Sequence, residues 1–197
     1  KNKKLKLIAK GKRSYVYLLK EKNKSIAFKV VIDKKRTKNV IKNEKKFLKI
    51  VNKEKIGPKF ISSGKNYVSY YYIDGIRIVD FIKNADKKLI INILKEVLTQ
   101  CYKLDKLGLN KEELHKPVKH ILIADNKPVM IDFERSHYSN NPKNVSQFCQ
   151  FLMSKTLREI LLSKQILLNK EELINRIIVY KSEMDLKNLK NICLLLK

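Results

Sequence analysis

A change of hydrophobic period near residue 37 limits what this chain can fold into more than any other feature. Before it, short apolar–polar runs rich in branched and aromatic residues occupy Leu5–Ala9, Ser14–Lys20 and Ser25–Ile32, separated by Gly11 and by Lys22-Asn23-Lys24. Such runs between turn residues predict strands. Val40, Ile41, Phe47, Leu48 and Val51 then recur at three- and four-residue steps, which predicts a helix from Thr37 to Asn52, stopped by Gly57-Pro58. Two more strands are expected at Lys59–Ser63 and Tyr67–Ile73, around a turn at Gly64-Lys65-Asn66, and Asp74-Gly75 ends the β-rich part.

The remainder reads as helical. Leu89, Ile90, Ile93, Leu94, Val97, Leu98, Cys101 and Leu104 form one apolar stripe. A small hairpin interrupts at His120–Ile123 and Val129–Asp132, joined through Asp125-Asn126-Lys127-Pro128. Three or four helices follow from Val145, with start signals at Asn169 (Glu172 three residues on) and at Ser182 (Asp185 three residues on). Five strands with one inserted helix, then a helical half, describe an α+β fold and exclude a simple doubly wound sheet, in which strand and helix would alternate throughout.

Composition narrows the function classes. With 197 residues and 44% hydrophobic residues the chain can bury a sizeable core. No apolar run approaches ~18 residues, so no membrane partner is expected. The start, Lys1-Asn2-Lys3-Lys4-Leu5-Lys6-Leu7-Ile8, is basic without a cleavable apolar run, which predicts a cytoplasmic protein. Three scattered cysteines, Cys101, Cys149 and Cys193, suit reduced thiols packed in helices rather than a disulfide framework. The 45 Lys and Arg against 19 Asp and Glu give a net +26, a field that favours polyanions such as RNA or a ribonucleoprotein particle. The lysines run from Lys3 to Lys197 rather than gathering in a tail. An AT-rich coding genome or heat adaptation would produce a similar bias.

Three short segments carry chemistry. In the turn Ala9-Lys10-Gly11-Lys12-Arg13-Ser14-Tyr15-Val16, Gly11 lets the backbone approach a phosphate and the Ser14 hydroxyl adds a donor. In Ala27-Phe28-Lys29-Val30, strand alternation puts Ala27 and Lys29 on one face, and an inward ammonium needs an anion. Glu44, in the middle of the following helix, is its natural partner. In Val129-Met130-Ile131-Asp132-Phe133-Glu134, an aspartate at a strand end is placed to hold a divalent cation.

These segments, in this order, resemble the protein-kinase-like superfamily. The first turn is similar to the G-x-G-x-x-G-x-V loop with Gly11 and Val16 retained, Ala27–Val30 to V-A-I-K, and Asp132-Phe133-Glu134 to D-F-G with glutamate for glycine. Tyr70-Tyr71-Tyr72-Ile73-Asp74-Gly75 resembles the hinge of atypical kinases, and Arg36-Thr37 through Glu44 resembles the region of the helix that supplies the lysine's partner. The likeness is closest to small archaeal predicted serine/threonine kinases related to the RIO family and to the kinase of the KEOPS complex, over about residues 5–155. It implies a two-lobed fold, a five-stranded N-lobe with one helix at 1–74 and a minimal helical C-lobe at 75–197. It also implies ATP with Mg²⁺ or Mn²⁺. Gly11, Ser14, Val16, Ala27, Lys29, Glu44, Tyr71 and Ile73 would contact the nucleotide, and Asp132 would hold the metal.

The catalytic loop departs from the family's H-R-D-x-x-x-x-N. His115 falls at the aspartate position and His120 at the asparagine position, with the five-residue spacing kept. On the resemblance His115 would orient or deprotonate the acceptor hydroxyl and His120 would be a second metal ligand, since neutral imidazole does both. Few residues separate Asp132 from the helix near Val145, so an extended activation loop is not expected. Three functions follow: transfer of the ATP γ-phosphate to a protein Ser/Thr or to itself, a kinase-fold ATPase switch or pseudokinase bound to RNA or a ribonucleoprotein, or a basic binding module that keeps the fold without binding ATP.

Overall fold

The computed structural model describes residues 4–21, 24–32 and 39–197, and the chain divides into two compact units. The first comprises residues 1–74 with Met130–Ser136; the second comprises Gly75–Val129 with His137–Lys197.

In the first unit β1 (Leu5–Lys10), β2 (Ser14–Lys20), β3 (Ser25–Val31), β4 (Phe60–Ser63) and β5 (Tyr67–Tyr71) form an antiparallel sheet in the order β1-β2-β3-β5-β4. The register places Val16 and Val68 on either side of Lys29, and Leu18 and Tyr70 on either side of Ala27. Directly opposed residues share a face, so these six side chains form one surface, and Leu18, Ala27, Lys29 and Val68 are buried on it. That face is covered by α1 (Val40–Lys53), whose buried stripe is Val40, Ile41, Glu44, Phe47, Leu48 and Val51. Thr37, the expected helix start, lies outside the described residues, as do Lys22, Asn23 and Arg36. The Asn52 side chain organises the exit from α1: its Nδ2 donates to the carbonyls of Ile56 (2.9 Å) and Pro58 (3.1 Å), and its Oδ1 accepts from the Phe60 amide (2.8 Å). Between them Gly57 takes φ +76°, and a Cβ there would stand 2.9 Å from the Phe133 ring. Only glycine fits that turn without displacing Phe133.

The second unit holds α2 (Ile78–Asn84), α3 (Lys87–Lys106), α4 (Asn144–Leu152), α5 (Lys155–Ser163), α6 (Lys170–Ser182) and α7 (Leu186–Cys193). It also has two small sheets. β6 (Ile76–Arg77), β8 (Ile121–Ala124) and β9 (Lys127–Met130) form one, and β7 (Leu109–Asn110) with β10 (His137–Tyr138) forms the other. The expected stripe of α3 is buried from Ile90 to Leu104, with Leu89 half-buried. Asp105, near the end of that helix, joins three helices. Its carboxylate accepts from the Asn144 amide (2.9 Å) and Nδ2 (2.7 Å), the Val145 amide (3.2 Å) and the Tyr180 hydroxyl (3.0 Å). Burial pushes this carboxyl above the usual range, against the pull of those four donors. The first amides of α4 are thereby satisfied by a side chain from another helix, which is why α4 needs no local cap. Cys101 and Cys149 are fully buried, and all three cysteines are free thiols.

Several sequence expectations shift. β5 ends at Tyr71, leaving Ile73 beyond it, and β9 ends at Met130, so Asp132 is not a strand residue. The hairpin turn is Asp125-Asn126 alone, both at positive φ (49° and 55°), and Lys127-Pro128 begin the edge strand β9. A two-residue turn with both φ positive matches the strand twist, and an edge strand tolerates the missing proline donor. His120 closes a 3₁₀ turn at Pro117–Lys119 rather than opening β8. Asn169 does cap α6, accepting from the Glu172 amide at 3.0 Å. Ser182 caps nothing ahead of it. It is the last residue of α6, its hydroxyl turned back to the Val179 carbonyl, and Asp185 caps α7 by accepting from the Asn188 amide at 2.7 Å. The seven-residue α2 carried no periodic signal long enough to read.

Candidate functional site

The Lys29 ammonium is the centre of the site. β3 aims it at α1, its side chain is 6% exposed, and an unpaired charge there would be costly. Three carboxylates surround it: Glu44 Oε2 at 3.2 Å, Asp132 Oδ1 at 2.8 Å and Glu134 Oε2 at 2.9 Å. An ammonium has three N–H donors and no acceptor, so three carboxylates can use all of them. Burial works against the lysine charge, but the carboxylates outweigh it and raise its pKa well above the ordinary lysine value. The neighbouring Tyr70 phenol is pushed far up, first by burial and then by the Glu44 charge.

Each carboxylate is positioned differently. Glu44 sits in the buried stripe of α1 and is anchored a second time, accepting from the Phe133 amide at 2.9 Å. Asp132 follows β9 in a left-handed conformation (φ 65°), which turns the chain out of the strand. Aspartate is one of the few non-glycine residues that populate that region, and such outliers concentrate at functional positions. Its side chain is 36% exposed, against 2% for Glu44, so Asp132 is the member that meets solvent. Glu134 is 10% exposed, its carbonyl accepts from Asn43 Nδ2 at 3.2 Å, and its Oε1 lies 3.5 Å from Arg13 Nη1.

Ligand atoms of Glu44, Asp132 and Glu134 all lie within 4.8 Å of one another, a spacing a divalent cation can bridge. Against them stand Lys29 and, at the outer limit of an ion pair, Arg13. The three carboxylates are the groups that suit a cation, and Lys29 is the ammonium that neutralises them here.

Of the residues expected from sequence, Lys29, Glu44 and Asp132 meet. Ala27 and Val16 share the face of Lys29. Gly11 and Ser14 close the β1–β2 turn through a Gly11 amide to Ser14 carbonyl bond of 2.9 Å, and the Ser14 residue is buried. Tyr71 does not join them. Alternation puts its side chain on the opposite face from Lys29, where the ammonium groups of Lys24 and Lys59 lie 5.6 and 5.8 Å from its ring centre. In the second unit His115 is exposed, and His120 Nε2 stands 3.1 Å from Glu113 Oε2. His137 Nδ1 is 3.5 Å from Glu112 Oε1. Sequence reading missed Glu134 as a partner of Lys29. The available signal was a carboxylate two residues after Asp132, where the resembled motif has glycine.

No family model matches this chain. It is similar to an uncharacterized protein of the archaeon Methanocaldococcus jannaschii, 28% identical over 93 residues, covering 45% of this chain and 79% of that protein.

Proposed function

We propose that this protein is an ATP-binding phosphotransferase of the protein-kinase-like type, acting on a protein Ser/Thr or on itself. One observation carries the reading. A buried lysine from β3 is held by a helix glutamate and by an aspartate from a distant segment, three groups that the resemblance assigns to one nucleotide site. In this reading Lys29 donates to phosphate oxygens, Glu44 fixes its position, and Asp132 would hold a Mg²⁺ or Mn²⁺ ion. The bound metal supplies charge neutralisation at the transferred phosphoryl group. An acceptor oxygen bonds to the γ-phosphorus as the bond to the bridging oxygen of ADP breaks, and the hydroxyl proton passes to a base.

Calorimetry with ATP and Mg²⁺ tests it on the wild type, Lys29→Ala and Asp132→Ala. Charge-assisted hydrogen bonds contribute about 1.5–3 kcal/mol, so each variant loses roughly tenfold to a hundredfold in affinity. Asp132→Asn, which tolerates the same left-handed backbone, keeps the test open where an alanine variant does not fold. Unchanged affinity in folded Asp132→Ala refutes the site.

A second reading, a kinase-fold ATPase switch or pseudokinase on RNA, is favoured by the net charge of +26. It predicts ATP binding without autophosphorylation, and hydrolysis that responds to added RNA.

A further inference from the structure

The face of the five-stranded sheet turned away from Lys29 has a composition of its own. Alternation and register place Leu5, Leu7 and Lys10 of β1, Tyr15, Tyr17 and Leu19 of β2, and Ile26, Phe28 and Val30 of β3 on it, with Tyr67, Ser69 and Tyr71 of β5. Tyr17 lies directly opposite Phe28, and Tyr15 and Tyr17 stand edge to face with centroids 6.5 Å apart. In the first unit α1 covers the other face, and on this one Leu5 and Leu7 are 52% and 48% exposed and the aromatic residues half-buried. Five aromatic rings on an open sheet exceed what a solvated strand face needs.

Charge says what fits there. None of the five strands contains an acidic residue. Lysines fringe the rings: Lys10 lies 5.5 Å from the Tyr15 ring centre, and Lys24 and Lys59 flank Tyr71. Residues 1–74 hold 23 Lys and Arg against 5 Asp and Glu, so 23 − 5 = +18 of the net +26 belongs to them. Flat π surfaces bordered by ammonium groups match unpaired bases on a polyphosphate chain, each base stacking on a ring while the lysines reach phosphates. A duplex hides its base faces and gains only the charge term.

We propose that this outer sheet face binds single-stranded nucleic acid, through stacking on Tyr15, Tyr17 and Tyr71 and phosphate pairing with Lys10, Lys24 and Lys59. The inference supplies the surface for the RNA-bound reading and rests on it. It is independent of the ATP site, which uses the other face of the same sheet.

Fluorescence anisotropy with labelled oligo-uridylate and oligo-deoxythymidylate of about 12 nucleotides, against a duplex of equal length, tests it. The wild type binds both single strands more tightly than the duplex, and a preference for the uridylate assigns RNA. Tyr15→Leu with Tyr17→Leu, which keeps apolar volume but removes the rings, weakens binding roughly five- to 150-fold for each stacked base, whereas Tyr→Phe at both positions retains it. Lys10→Glu, Lys24→Glu and Lys59→Glu together weaken binding and flatten its salt dependence by about 0.7 log units per log of salt for each phosphate no longer neutralised. The same charge change made at the exposed lysines Lys170, Lys181 and Lys187 leaves binding near wild type. Equal losses from the two lysine sets, duplex bound as tightly as single strands, or full affinity in the Tyr→Leu variant overturns the surface. Failure of the wild type to bind any single strand overturns the RNA-bound reading with it. Calorimetric ATP affinity of the wild type reports separately on the nucleotide site.

Discussion

Lys29→Met removes the charge at the centre of the site while nearly preserving its volume. Glu44, 2% exposed at the side chain, then loses the ammonium 3.2 Å away, and Asp132 and Glu134 face it as like charges. Breaking a buried ion pair from one side costs about 3–5 kcal/mol. For a chain of this length that corresponds to a fall of roughly 6–20 °C in Tm. The pH dependence identifies the cause. In the wild type the Lys29 pKa is raised, so its contribution is fully present below its unfolded value and is lost only as pH rises through the elevated folded one. Between pH 5 and 8 the wild type is therefore insensitive to this group. In Lys29→Met burial and mutual repulsion oppose ionisation of the carboxylate cluster, so the variant loses stability as pH rises. The stability gap should widen from pH 5 to pH 8, measured by urea unfolding followed by circular dichroism. Adding Glu44→Gln, which keeps an acceptor for the Phe133 amide, should recover much of the loss. A cost below about 1 kcal/mol at pH 8, or a gap that does not change with pH, refutes the view that Lys29 neutralises a buried carboxylate cluster.

Two further outcomes are expected. Tyr180→Phe removes one of the four donors to Asp105 and should lower stability by about 1.5–3 kcal/mol, read from the shift in the urea midpoint at unchanged slope. Equal midpoints would mean that the hydroxyl contributes nothing to joining α6 to α3. His115→Ala should slow phosphotransfer roughly 10²–10⁴-fold, with His115→Asp retaining turnover. Matching rates for wild type and His115→Ala across pH would assign His115 no part in proton transfer.

The α+β character was legible in the sequence, because hydrophobic period is a local property: the alternation around Ala27–Val30 and the stripe Ile90–Leu104 each lie within one segment. The sequence also singled out Lys29 and Glu44, because a charged residue on an otherwise apolar face has to be neutralised. Segment ends were less legible. Met130 and Ser182 close their elements for reasons that period does not encode: a left-handed Asp132 in one case, an extended Glu183 in the other. Tertiary structure alone decided three things. It made Glu134 the third partner of Lys29, since the path of the chain after Asp132 sets where that carboxylate goes. It turned the Tyr71 ring away from Lys29, since strand register fixes side-chain parity. It also gathered tyrosines and lysines scattered between Lys10 and Tyr71 onto one sheet face, since only pairing between strands brings residues distant in sequence into one surface.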